Sequence, residues 1–167
     1  MLNLKKAWNI ISGVLVALIV SFAVFLVGTR LMGFQVFNVI SGSMEPTYRV
    51  GDLIYVKDVD VSEIEVGTPI TFVLNEDLVV ATHRVIEIDE EHQHFYTKGD
   101  ANEAADAAPV HFNNVIGVPK FAIPYLGYVS DYIQNPPGMY IAVGVCAVLI
   151  IAVFVPDMIG KKKREED

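Results

Sequence analysis

The sequence predicts a mainly β fold, a compact β domain held between two membrane-spanning helices. Three observations predict it. The apolar excess lies at the two ends of the chain, the middle carries short runs of β-branched and aromatic residues broken by turn residues, and no long stretch of that middle repeats with a helical period. The 167 residues are 53% hydrophobic and 19% charged, with 20 acids against 12 Lys and Arg. The mean hydropathy is +0.43. That length holds one modest domain. The apolar fraction excludes a disordered chain, the single Cys146 excludes an internal disulfide framework, and the acidic balance disfavours a nucleic-acid partner.

In chain order, residues 1–7 are expected as a cytoplasmic N-terminus. Trp8 to Val27 comes next, as 20 uncharged residues. At a rise of about 1.5 Å per residue, such a helix spans about 30 Å of hydrocarbon. Its apolar run exceeds the ~7–15 residues of a secretory leader. No A-x-A site follows it before Arg30, so an uncleaved anchor is expected. Met139 to Val155 is a second uncharged stretch, 17 residues long, at the short end of the spanning range. Lys5 and Lys6 precede the first span, and Lys161, Lys162, Lys163 and Arg164 follow the second. The positive-inside rule then puts both termini, including the tail 156–167, in the cytoplasm, and the domain 28–138 outside the cell membrane. From Gly33 to Gly138 there are five cations and sixteen acids, a net charge of −11. Most of these acids are read as solvated surface, a surface that tolerates a substrate with a positive end.

Within the domain, strands are expected at Leu53–Val56, Ile70–Leu74, Leu78–Ile88, Phe95–Thr97 and Val115–Ile123. In Leu78–Ile88 the alternation breaks after Thr82, where Val85 falls out of phase. Gly51-Asp52, Asn75-Glu76-Asp77 and Gly99-Asp100 are expected turns. Tyr125–Gln134 reads as a short helix, and Asn135-Pro136-Pro137-Gly138 as the breaker that leads into the second span. The tail Lys161–Asp167 is expected to be disordered.

Three segments carry chemistry. In Ser41-Gly42-Ser43-Met44-Glu45-Pro46, a small-residue turn can expose a hydroxyl, and Ser43 lies only 16 residues past Val27, close to the outer membrane surface. In Ala81-Thr82-His83-Arg84-Val85, the His83 imidazole on a rigid strand can take a serine proton and return it to a leaving amine. In Thr97–Asp106, a carboxylate can fix the imidazole tautomer. Asp100, Glu103 and Asp106 are all available, and spacing does not choose among them. His92, His94 and His111 are read as solvent-exposed, with no further ligand spacing around them, so no metal site is expected.

The ordered set Ser-Gly-Ser-Met-Glu-Pro, then His-Arg, then Lys-Gly-Asp-x-Asn with a further Asp at 106, resembles signal peptidase I of the endoplasmic-reticulum, archaeal and sporulation (Gram-positive) type. Arg49-x-Gly51-Asp52, Val115-x-Gly117 and Ile123-Pro124-Tyr125-x-Gly127 match it too, so the resemblance covers about Val39 to Gly127. It implies a β catalytic domain of the signal peptidase type, with Ser43 as nucleophile, His83 as general base and Asp106 as third member. Asp100 matches an acidic position that is supportive or itself the partner; Asp106 is favoured. Ser41, with the Ser43 amide, matches the oxyanion hole. One departure is Ala105, where eukaryotic members carry a second aspartate; this suits a bacterial or archaeal member.

The activity implied by the resemblance is that of a membrane-anchored serine endopeptidase that removes signal peptides from exported preproteins. The family pattern implies no cofactor, names signal peptides and the lipid bilayer as partners, and leaves accessory subunits open. Two other functions compete with it on the residues. One is a serine peptidase with Lys57 or Lys98 as base, and the other is a non-catalytic anchored β module.

Overall fold

The computed structural model describes residues 4–74 and 79–165. The chain divides into two units, one of residues 1–29 and 132–167, the other Arg30–Asp131.

The first unit is helical. Its α1 covers Leu4–Leu31, and α3 covers Gly138–Glu165. The expected spans 8–27 and 139–155 fall inside these two helices. Many of their apolar side chains are exposed, among them Ile11, Leu18, Val24, Val143 and Val148, each 63–65% accessible. Among the described residues no single helix is long and apolar enough to cross a membrane. Leu126–Gln134 and Gly138–Ile151, separated by a sharp bend, meet that test only together. The tail departs from expectation: α3 continues through the lysines to Glu165. Residues 1–3 and 166–167 lie outside the described residues.

The second unit is a seven-stranded antiparallel sheet. In chain order its strands are β1 (Phe34–Asn38), β2 (Leu53–Lys57), β3 (Pro69–Val73), β4 (Val80–Asp89), β5 (His94–Lys98), β6 (Val110–His111) and β7 (Val115–Ile123). Their spatial order is β1-β2-β7-β3-β4-β5-β6. All five expected strands are present, with ends shifted by a residue or two; residues 75–78, and with them the expected turn, lie outside the described residues. The strands β1 and β6 were not expected: Phe34–Asn38 hides in the chain leaving the first apolar stretch, and Val110–His111 is too short to show alternation. Helix α2 covers Leu126–Gln134 and stops before Pro136-Pro137.

The core is made by one face of the sheet. Ile70 and Phe72 of β3, Val85 of β4, Phe95 of β5, Val110 and Val118 pack together with Ile64. On β2, Leu53 to Val56 are all buried, which is why that run is continuously apolar rather than alternating. The broken alternation in β4 is a β-bulge: Val85 pairs with Thr97 and Glu87 with Tyr96, leaving Ile86 over. The extra residue returns Val85 and Ile88 to one face. Strand β7 is shared, pairing through Val115 and Gly117 with β3 and through residues 118–123 with β2. Gly117 sits at the handover with φ +153°, and a Cβ there would meet the Lys57 carbonyl oxygen at 2.3 Å. Only glycine fits that approach.

Candidate active site

Strand β4 carries the site because its alternation sends neighbouring residues to opposite faces. His83 lies opposite Ile70, and Ala81 opposite Phe72, so His83 is on the core face. The Phe72 ring meets the His83 ring edge-on at 6.2 Å. Thr82 and Arg84 occupy the other face, where Thr82 shares a 2.8 Å hydrogen bond with Thr71.

The imidazole joins the first and third segments. His83 Nε2 is 3.1 Å from Ser43 Oγ, and His83 Nδ1 is 2.6 Å from Asp106 Oδ2. The same carboxylate oxygen accepts from the Thr97 hydroxyl at 2.6 Å. Thr97 lies opposite Val85 in the sheet, hence on the same face as His83. The Asp106 N–H donates to the Thr97 carbonyl at 2.9 Å, which fastens the returning loop to the end of β5. A proton on Nδ1, donated to Asp106, leaves the Nε2 lone pair facing the serine. The ring is 15% exposed and the Asp106 side chain 21%, so both are largely shielded from water.

Asp100 is brought to a different partner. Its carboxylate accepts from Arg84 Nε at 2.8 Å and Nη2 at 2.6 Å, a two-pronged pairing, and from the Thr47 hydroxyl. Arg84 Nη1 also donates to the Gly67 carbonyl at 2.7 Å. The Arg84 hydrogen bonds, with the Thr47 bond added, hold the Asp100 carboxyl below its ordinary range against the opposing effect of burial. The pair ties β4 to the segment just after Ser43. Sequence reasoning assigned no role to Thr97, Thr47 or Arg84; the strand alternation that separates Arg84 from His83 was the available signal.

Ser43 sits at the head of a turned segment, with the Glu45 N–H bonded to the Gly42 carbonyl and the Tyr48 N–H to the Met44 carbonyl. Met44 is buried and anchors it. The Ser43 carbonyl accepts from the Ala101 N–H at 2.9 Å. Gly99 permits this closeness, since a Cβ there would lie 2.6 Å from the Ser43 carbonyl oxygen. Ser41 Oγ is 3.3 Å from Ser43 Oγ. A cleft of about 600 Å³ opens beside these groups, with Val39, Ile40, Met44, Val79, Val80 and Ala81 in its lining.

The remaining expected groups lie elsewhere. Glu103 is exposed. Lys57 extends over the Phe34 ring, 5.7 Å from its centre, and Lys98 pairs with Arg84 in the β4–β5 register. His92 is exposed and bonds Asp89. The expectation of exposure fails for His94 and His111: both are half-buried, because the unexpected pairing of β5 with β6 sets them opposite each other with ring centres 5.3 Å apart. Among the described residues no group of three or more His, Cys, Asp or Glu side chains could hold a metal ion.

Comparison with known proteins agrees with the motifs. The chain is 38% identical over 122 residues to signal peptidase I W of Bacillus subtilis, covering 67% of this chain and 64% of that protein. The chain is a relative of the signal peptidases. It is also 30% identical over 109 residues to the signal peptidase complex catalytic subunit SEC11C of Homo sapiens, covering 59% of this chain and 57% of that one. Against the signal peptidase complex catalytic subunit sec11 of Schizosaccharomyces pombe the identity is 26% over 141 residues, covering 75% of that protein. The chain thus spans less than two thirds of the length of the first two of these signal peptidases. No family model matches the chain.

Proposed function

We propose that this protein is a membrane-anchored serine endopeptidase that removes N-terminal signal peptides from exported preproteins. The carrying observation is the unbroken line of contacts from Ser43 Oγ through His83 to Asp106, at 3.1 and 2.6 Å, beside an apolar cleft, in a relative of the signal peptidases.

In this mechanism His83 Nε2 takes the Ser43 proton as Oγ attacks the scissile carbonyl, and Asp106 stabilises the imidazolium that forms. His83 then gives the proton to the leaving amine. Water, activated by the same imidazole, releases the acyl group and restores Ser43. The Ser43 amide and the Ser41 hydroxyl receive the negative oxygen of the tetrahedral intermediate. Asp100 acts at one remove by holding Arg84 and Thr47. Side chains and one main-chain amide supply nucleophile, base and oxyanion donors, so these steps call for no cofactor.

The substrate fits as an extended strand. Residues 80–83 of β4 pair with β3 on one side, whereas β5 pairs with β4 only from Arg84 onward. The other edge of β4 at 80–83 borders the cleft, and a peptide main chain can add to it there, with small side chains turned into the apolar lining. The exposed apolar surfaces of α1 and α3 and the flanking cations support membrane anchoring, with both termini on the cytoplasmic side. Sharing one bilayer with a signal helix raises the effective concentration of the cleavage region at the site.

The test uses the full chain in phospholipid vesicles with a preprotein, followed by sequencing of the new N-terminus. Cleavage after a small residue by the wild type, and none by Ser43→Ala, is expected. Equal cleavage by Ser43→Ala overturns the proposal.

A further inference from the structure

The segment Lys98-Gly99-Asp100-Ala101-Asn102 contributes three contacts to the site: the space at Gly99, the Arg84 pairing of Asp100, and the Ala101 N–H on the Ser43 carbonyl. Asn102 has none of these duties. Its side chain lines the cleft together with Ser43 and His83. An ideal Cβ on Gly99 would lie 2.7 Å from Asn102 Nδ2 and 2.6 Å from the Ser43 carbonyl oxygen. The bare Gly99 therefore lets the Asn102 amide fold in next to the nucleophile loop.

Two observations separate this side chain from a structural one. The loop is already closed by main-chain bonds, Asn102 N–H to the Gly99 carbonyl at 3.0 Å and Ala101 N–H to the Ser43 carbonyl at 2.9 Å. The half-buried side-chain amide itself has no hydrogen-bond partner among the described residues. Several other polar side chains of the cleft are engaged: Asn38 donates to the Gly127 carbonyl, Thr82 bonds Thr71, and Ser41 and His83 bond Ser43. An amide carries both an acceptor and donors, the complement of a peptide group, and in an apolar cleft such a pairing is stronger than in water.

We propose that Asn102 binds substrate, its side-chain amide hydrogen-bonding the main chain of the extended peptide next to the scissile bond. This rests on the proposed peptidase function and extends it to a residue that reads backbone rather than side chains, which suits an enzyme that must accept many cleavage sequences.

The experiment compares wild type with Asn102→Leu, which keeps the branched heavy-atom skeleton and removes the hydrogen bonds, in the full chain in phospholipid vesicles. The substrates are preprotein peptides in which each backbone amide flanking the cleavage point is replaced in turn by an ester. Asn102→Leu is expected to lower kcat/KM on the all-amide peptide about tenfold, the size of one hydrogen bond, mainly through KM. At one ester position the penalty paid by the wild type should vanish in the variant, a coupling that a loosened loop does not produce. Ester penalties that are equal in the two proteins at every position overturn the proposal, and so does cleavage indifferent to the substitution. If Asn102→Leu fails to fold, Asn102→Ala carries the same comparison. A folded wild type that cleaves no preprotein overturns the peptidase function, and this inference with it; cleavage that ignores residue 102 overturns this inference alone.

Discussion

Asp100 and Asp106 stand six residues apart in one loop, and each serves one of two adjacent side chains on β4. Asp106 meets the His83 imidazole through a single oxygen that Thr97 also holds. Asp100 meets the Arg84 guanidinium in a two-pronged bond. An imidazole can accept and give back a proton during a reaction, whereas a guanidinium keeps its charge throughout. In the proposed mechanism the first carboxylate follows a moving proton, whereas the second clamps β4 to the segment after Ser43. Similar residues on one loop are separated by the partner each reaches, which the proposed mechanism reads as chemistry for one and architecture for the other.

The largest effect that sharpens this contrast is expected from Asp106→Asn. It should cut kcat by about 10⁴-fold while the melting midpoint stays near that of wild type, because an amide in that place favours the wrong imidazole tautomer. Steady-state cleavage and thermal melting of the same sample check it; a similar kcat loss in Asp100→Asn would erase the distinction. Next in size is Ser41→Ala, expected to lose about 10²-fold in kcat with little change in KM, as for one oxyanion donor. A change confined to KM would move Ser41 from the oxyanion to ground-state binding.

Asp100→Asn should act mainly on stability. Loss of a charged hydrogen-bond partner costs about 1.5 kcal/mol where, as here, the Arg84 side chain is 32% exposed and water relieves part of the loss. That corresponds to a midpoint lowered by roughly 5–10 °C. The smallest effect is its pH dependence. Since the folded Asp100 carboxyl lies below its ordinary value of 3.8, its contribution is complete above that pH and is lost as the pH falls through the folded value. The stability gap between wild type and Asp100→Asn should therefore be widest above about pH 4 and close under stronger acid. A gap that widens on acidification would contradict the pairing with Arg84.

Strands β2, β3, β5 and β7 were legible because each is long enough to show a buried run or an alternation. The bulge in β4 was visible only as a fault at Val85, since two residues facing one on the partner strand leave a phase slip and nothing more. Strands β1 and β6 were not legible: five residues at a helix exit and two residues after a proline carry no periodic signal. The same missing pair hid the contact between His94 and His111. At the site, the serine turn and the strand histidine were readable as residue types, whereas Thr97, Thr47 and Asn102 look like ordinary loop and strand polar residues.

By itself the sequence determined a β domain between two apolar stretches, and the chemistry on offer at Ser43, His83 and three nearby acids, because periodicity and residue type are local properties. Only the tertiary structure decided which acid faces the imidazole. Ser43 lies 40 residues from His83, and Asp106 a further 23. Their meeting depends on the register of β3, β4 and β5 and on the Asp106 N–H bond to Thr97. Such long-range pairings are set by how whole strands bury their faces together, and no short window of sequence contains that information.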